Sequence, residues 1–80
     1  PGVNKGQALA WLARYLGIPL EKTIAIGDNE NDMEMIKMAG LGIAVQNALL
    51  DVKEAADVVT TKDFSQGAVA EAIERFVLHD

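Results

Sequence analysis

The sequence has 80 residues, of which 50% are hydrophobic and 24% charged, and its 12 acidic and 7 basic side chains give a net charge of −5. This composition is typical of one small globular domain, and the absence of any basic run argues against nucleic-acid binding. The chain contains no cysteine, which excludes disulfides and thiol catalysis and fits a cytoplasmic location, and no apolar stretch is long enough to predict a membrane span.

Helices and short apolar strands are predicted to alternate along the chain. The apolar spacing predicts a first amphipathic helix from Lys5 to Leu16, with Gly17 ending it. Apolar, partly β-branched runs predict strands at Thr23 to Ile26, at 41–45 and at 57–60. Further helices are predicted at 32–39, at 49–56 and around 69–77. Asn29 or Asn31 is expected to cap the second helix, and Asn47 the third.

The alternation predicts an α/β fold with a parallel three-stranded sheet flanked by helices. The run from Thr23 to Ile26 is strongly apolar and carries no charge that would protect an exposed edge. Such a strand is typical of the middle of a sheet, so we expect more sheet beside it. If that neighbour is missing, we expect the chain to self-associate, to pair with the missing half of its core or to fold poorly through this strand.

Acidic side chains cluster directly after the first predicted strand. Asp28 falls at its carboxyl end, where open α/β sheets bind ligands, and Asp32 follows four residues later in the first turn of a helix. Two carboxylates with amide oxygens nearby suit Mg²⁺, and backbone N–H groups at a helix start favour an anion beside it. The alternative is that Asn31 is only a cap and that Asp32 and Glu30 only complement the helix dipole.

The segment Gly27-Asp28-x-x-Asn31-Asp32 resembles the fourth motif of the haloacid dehalogenase superfamily. The resemblance extends over nearly the whole chain. Within the superfamily, the sequence resembles the Cof-type phosphatases and, among these, the sugar-phosphate phosphatases. The further segments that carry it are Val3-Asn4-Lys5-Gly6, Leu16-Gly17-Ile18, Met35-Ile36, Ala39-Gly40, Val45-Gln46-Asn47-Ala48, Val52-Lys53 and Gly67-Ala68-Val69-Ala70.

This resemblance implies Mg²⁺-dependent hydrolysis of a small phosphorylated metabolite, through a phospho-aspartyl intermediate in a Rossmann-like core. It assigns Asp28 to the metal and Asn31 to the phosphate end of the substrate. Lys5 is expected to neutralise the charge of phosphate and nucleophile, a role that suits a point charge in phosphoryl transfer. Asp32 is expected to support the metal or its waters, or to position Lys5.

The family's Asp-x-Asp-Gly nucleophile segment, its second motif and its cap domain have no counterpart in the sequence. Because the chain also opens with Pro1, we expect residues 1–80 to be one partial domain, the C-terminal portion of such a core, and inactive alone. Two alternatives to this interpretation stay open at this point. One is a truncated, non-catalytic module that binds Mg²⁺, phosphate or a partner, and the other is a purely structural α/β unit.

Overall fold

The first helix, α1 (Lys5–Leu16), is fixed at both ends by hydrogen bonds that its flanking residues make. The computed structural model describes residues 4–78. In it, Asn4 Oδ1 accepts the N–H of Gln7 at 2.7 Å, and the Asn4 N–H donates to Gln7 Oε1 at 3.0 Å. Such reciprocal capping satisfies two N–H groups that a helix start leaves unpaired. Gly17 ends α1 at φ 72°, in the left-handed region where glycine is favoured. The predicted bounds of this helix are confirmed.

Three strands form a parallel sheet in the order β1-β2-β3, so each strand pairs with the next one along the chain. The strands are β1 (Ile24–Gly27), β2 (Leu41–Ala44) and β3 (Val58–Val59). The connecting helices are α2 (Met33–Met38) and α3 (Leu50–Ala55). The chain then continues through α4 (Ala68–Ala72) and a π-helical turn (Ile73–Val77). The predicted parallel α/β class is confirmed.

The core lies where β2 meets the helices. Ile36 of α2, Ile43 of β2, Val45 just beyond it and Val52 of α3 are almost completely buried. A parallel sheet needs cover on its faces, and Ile36 and Val52 from the helices help to supply it for the central strand. None of the helices between residues 4 and 78 has the length and apolar character of a membrane-spanning segment.

Several predicted element ends differ from the structure by one residue. Thr23 precedes β1, since its hydroxyl donates to the Leu20 carbonyl at 2.6 Å and ends a short 3-10 turn there. A second 3-10 turn, Glu30–Asp32, precedes α2, and Asn29 rather than Asn31 caps it. Asn47 does not cap α3, because the helix begins after Leu49 without a side-chain cap.

The carboxylate of Glu71 on α4 accepts hydrogen bonds from the loop that follows β3. It accepts the N–H of Thr61 at 2.8 and 3.1 Å and the N–H of Lys62 at 2.9 Å, and Arg75 Nη1 donates to it at 2.5 Å. The Thr61 N–H bond lowers the pKa of Glu71 most, burial opposes it, and the bonds from Arg75 and Lys62 lower it further, to about 2. Glu71 therefore stabilises the fold in its charged form.

Acid is expected to weaken this stabilisation in a defined range. The Glu71 pKa falls from 4.5 to about 2 on folding, so the unfolded chain binds the proton more readily. The contribution of Glu71 is thus complete above about pH 4.5 and is lost as the pH falls towards 2. Denaturant unfolding of the wild type and Glu71→Gln at several pH values should show a stability difference that shrinks over this range. A difference that stays constant with pH would contradict the assignment.

Candidate functional site

The loop after β1 is organised by the carboxylate of Asp32. Asp32 Oδ2 accepts the N–H groups of Asp28 at 3.1 Å and Asn29 at 3.2 Å, and the Asp32 N–H donates to the Asn29 carbonyl at 2.9 Å. Gly27 leaves room for this arrangement, since a Cβ at that position would lie 2.5 Å from the Asp32 Cβ. Asp32 thereby turns the loop back on itself directly beyond the strand, where Asp28 emerges.

Lys5, the first residue of α1, reaches the same carboxylate. Its Nζ donates to Asp32 Oδ1 at 2.5 Å, although the two residues are 27 positions apart. The Lys5 side chain is 51% exposed, whereas that of Asp32 is only 8% exposed. The ammonium is therefore held at a fixed place by one hydrogen bond while part of it faces solvent. The fold brings together Lys5 and Asp32, which the sequence places on separate elements.

The charge state of Asp32 follows from these contacts. Burial by itself raises the pKa of the Asp32 carboxyl, but the hydrogen bond from Lys5 and those from the Asp28 and Asn29 N–H groups oppose this effect. The net effect lowers the pKa of Asp32 below its ordinary value, so Asp32 is ionised at neutral pH. Asp32, an anion held between an ammonium and two N–H groups, thereby holds the Lys5 side chain in place.

Asp28 is half-buried at the carboxyl end of β1, and Asn31 is exposed in the turn that follows. Among residues 4–78, no group hydrogen-bonds the carboxylate of Asp28 or the side-chain amide of Asn31. The main chain of Asp28 is nevertheless fixed, because its carbonyl accepts the Leu49 N–H at 3.1 Å. Asp28 thus offers, at the edge where parallel sheets bind ligands, a carboxylate to which none of the described residues hydrogen-bonds.

The donor set at this edge matches part of a magnesium shell. Mg²⁺ is bound through one or two carboxylates and keeps several waters. Asp28 supplies one such carboxylate, whereas both oxygens of Asp32 already accept N–H donors. No group of three or more acidic, histidine or cysteine side chains within the described part of the chain could hold a metal ion. The residues fit a metal that takes its remaining ligands from elsewhere.

Fold and site together define a Rossmann-like α/β unit with a lysine and two aspartates at the carboxyl edge of its sheet. Residues 1–73 match the sequence model of the haloacid dehalogenase-like hydrolase family. The chain belongs to this family, and the resemblance to the haloacid dehalogenase superfamily is confirmed.

Several relatives in this family are phosphatases. The chain is 48% identical to a phosphoglycolate phosphatase of Methanothermobacter thermautotrophicus, over 96% of this chain and 34% of that protein. A haloacid dehalogenase-like hydrolase from Bacteroides thetaiotaomicron has a similar structure, with a TM-score of 0.88 and 47% identity over 92% of this chain and 27% of that one.

A third relative was solved with ligands. It is the 3-deoxy-D-manno-octulosonate 8-phosphate phosphatase of Moraxella catarrhalis, in complex with magnesium, phosphate and the sugar acid. Its TM-score is 0.85 at 38% identity, over 89% of this chain and 41% of that one. The chain spans about a third of the length of the curated relatives that it matches.

Proposed function

We propose that this chain is the C-terminal portion of the core domain of a Mg²⁺-dependent phosphatase that hydrolyses small phosphomonoesters. The observation that carries the proposal is the ion pair between Lys5 and Asp32, whose carboxylate also accepts the N–H of Asp28, together with an Asp28 carboxylate that no residue from 4 to 78 hydrogen-bonds. Positive charge and a metal-binding carboxylate at one sheet edge are what phosphoryl transfer requires, because its catalysis consists of positioning and charge stabilisation.

Each residue has a separate role in this proposal. Asp28 binds Mg²⁺ through its carboxylate. Lys5 holds a positive charge against the phosphate, and Asn31 donates an amide hydrogen bond to it. Asp32 fixes the Lys5 ammonium and the loop that carries Asp28, which makes it a positioning residue here; direct binding of the metal by Asp32 stays a prediction. When bound, Mg²⁺ would act as a Lewis acid and neutralise charge on the phosphoryl oxygens.

The rest of the catalytic machinery is proposed to lie outside these 80 residues. The sequence contains no Asp-x-Asp-Gly segment, so the aspartate that would form the phospho-aspartyl intermediate is supplied by polypeptide beyond this chain. We propose a sugar phosphate or a similar phosphorylated metabolite as substrate, supported by the phosphatases among the relatives. The cytoplasmic location stays a prediction.

Replacing Asp28 by asparagine is expected to abolish metal-dependent turnover. The polypeptide as its source produces it should release inorganic phosphate from a panel of sugar phosphates and phosphoglycolate with Mg²⁺, and the 80-residue chain should not. Asp28→Asn should lower kcat/KM by about 100-fold or more, because one anionic ligand is lost. Asp51→Asn, which changes an exposed carboxylate on α3, is the matched control.

Three outcomes of this assay are informative. Turnover by the 80-residue chain, with contaminating phosphatase excluded, would contradict the proposed division of the site. Full activity of Asp28→Asn would contradict the role of Asp28. Saturable Mg²⁺ binding without turnover by the polypeptide as its source produces it would favour the non-catalytic binding module.

We further propose that β1 is the edge to which the rest of the core attaches. Among the described residues β1 pairs only with β2, and Ile24 is 45% exposed. The other edge of β1 is therefore free, among residues 4–78, to pair with further polypeptide.

Self-association of the isolated chain is expected to depend on this edge. Sedimentation velocity of the 80-residue chain should show oligomers that grow with concentration. Ile24→Lys should reduce them, because a lysine on an edge strand opposes pairing. Leu50→Lys, which replaces an exposed leucine on α3, is the control and should leave association unchanged. Equal association in both variants would exclude β1 as the contact.

A further inference from the structure

The loops that follow the three strands are joined in series by hydrogen bonds. The loop after β1 is tied to the loop after β2, because the Leu49 N–H donates to the Asp28 carbonyl at 3.1 Å. The loop after β2 is tied to the loop after β3, because the Gln46 N–H donates to the Lys62 carbonyl at 3.3 Å. Residues 46–49 therefore form a bridge, held at one end by Asp28 and at the other by Lys62.

The main chain of Lys62 is itself held on both sides, at its carbonyl and at its N–H. The Thr60 hydroxyl donates to it at 2.5 Å, and Thr60 is almost completely buried, with its N–H bonded to the Ala44 carbonyl of β2. The Lys62 N–H, at the other side of the same residue, donates to Glu71 at 2.9 Å. Glu71 therefore holds the N–H side of Lys62, the residue whose carbonyl bonds to Gln46 and Thr60.

Glu71 is well suited to fix the main chain at Lys62. Its side chain is 7% exposed, and its carboxylate accepts two consecutive N–H groups, those of Thr61 and Lys62. Bonds from N–H groups to a charged carboxylate are roughly twice as strong as neutral ones. Arg75 balances the charge from one turn along the helix. These bonds connect α4 to the loop after β3, and stabilisation of α4 alone would not require them.

We propose that Glu71 is a positioning residue for the candidate metal site: by fixing the main chain at Lys62 it holds residues 46–49 against the main chain of Asp28. The metal-binding part of this inference rests on the proposed function of Asp28. The mechanical part, the dependence of the Asp28 loop on Glu71, stands on the hydrogen bonds alone. Glu71 touches neither metal nor substrate in this proposal and acts only through the loops.

The test uses the polypeptide as its source produces it, with the variants Glu71→Gln and Glu71→Ala. Glu74→Gln is the matched control, since Glu74 is an exposed carboxylate on the next turn of the same helical segment. Without metal, amide NMR shifts of Asp28, Gln46 and Leu49 should move in both Glu71 variants and stay in place in the control. Mg²⁺ affinity, titrated well below the unfolding temperature, should fall about 2- to 10-fold in Glu71→Ala and less in Glu71→Gln.

The readouts separate this inference from a purely structural role and from the proposed function. If Glu71 only stabilises α4, the melting temperature falls while the Asp28 and Leu49 shifts and the Mg²⁺ affinity of the folded variants stay unchanged, which overturns the inference. If the wild type does not respond to Mg²⁺, the proposed function fails, and the shifts of Asp28 and Leu49 alone decide the coupling. Should Glu71→Ala not fold, Glu71→Gln, which keeps one acceptor oxygen, provides the same comparison.

Discussion

Replacing Asp32 by alanine is expected to disable the site and to destabilise the fold. The substitution leaves the Asp28 and Asn29 N–H groups without an acceptor and releases the Lys5 ammonium. The free energy of unfolding should drop by about 1–3 kcal/mol, the usual cost of partly buried donors that lose their partner. Phosphatase activity of the polypeptide as its source produces it should fall by about 10- to 100-fold, because Lys5 and the Asp28 loop are no longer held.

Asp32→Asn separates the two effects. An asparagine can still accept from the Asp28 and Asn29 N–H groups through one oxygen, but its amide NH₂ then faces the Lys5 ammonium. Stability should be closer to the wild type than in Asp32→Ala, whereas activity should remain low. Glu30→Ala, which removes an exposed acidic residue from the same 3-10 turn, is the control for charge. Wild-type activity in Asp32→Asn would contradict the positioning of Lys5 by a carboxylate.

Gly42→Ala is expected to have the largest effect on stability. A Cβ on Gly42, in the central strand, would lie 2.7 Å from the Ile36 Cγ2 and still closer to the Ile36 carbonyl oxygen. Backbone cannot swing aside as a flexible side chain does, so α2 and β2 would have to separate. The cost should be about 3 kcal/mol or more, against a total of roughly 4–12 kcal/mol for a folded unit of this size.

Denaturant unfolding with circular dichroism checks the Gly42 prediction. Gly17→Ala is the matched control, because a Cβ on Gly17 meets no atom within 4 Å and only the φ of 72° opposes it. Its cost should be about 1–2 kcal/mol. Equal destabilisation by the two substitutions would mean that contact with Ile36 is not what excludes a side chain from Gly42.

Local patterns in the sequence were sufficient for most of the fold. The Lys5–Leu16 helix was predictable because apolar spacing and a terminal glycine agree, and the strands because each is a short apolar run. The start of α3 was not, since Asn47 is a good capping residue by type while the chain is held two residues further on, where the Leu49 N–H donates to the Asp28 carbonyl. Such a bond depends on tertiary placement that no local pattern contains.

The candidate site was predictable in unequal parts. Asp28 and Asp32 stand out because they follow a strand, but spacing alone left a cap or a dipole effect as the alternative. The role of Lys5 came from the family resemblance, since nothing in the sequence relates it to an aspartate 27 positions away. Glu71 gave no signal at all: a glutamate on an amphipathic helix is ordinary, and only its bonds to Thr61 and Lys62 distinguish it.

The strand order β1-β2-β3 has a consequence for how the chain folds. Every strand pair joins neighbours in sequence, so each pairing closes a loop that contains only one helix. Loops of this length are cheap to close, and low contact order is associated with fast folding. We therefore expect β2, which both pairings share, to belong to the folding nucleus. Mild core substitutions in β2, such as Ile43→Val, should slow folding, whereas substitutions at the outer face of α1 should mainly accelerate unfolding.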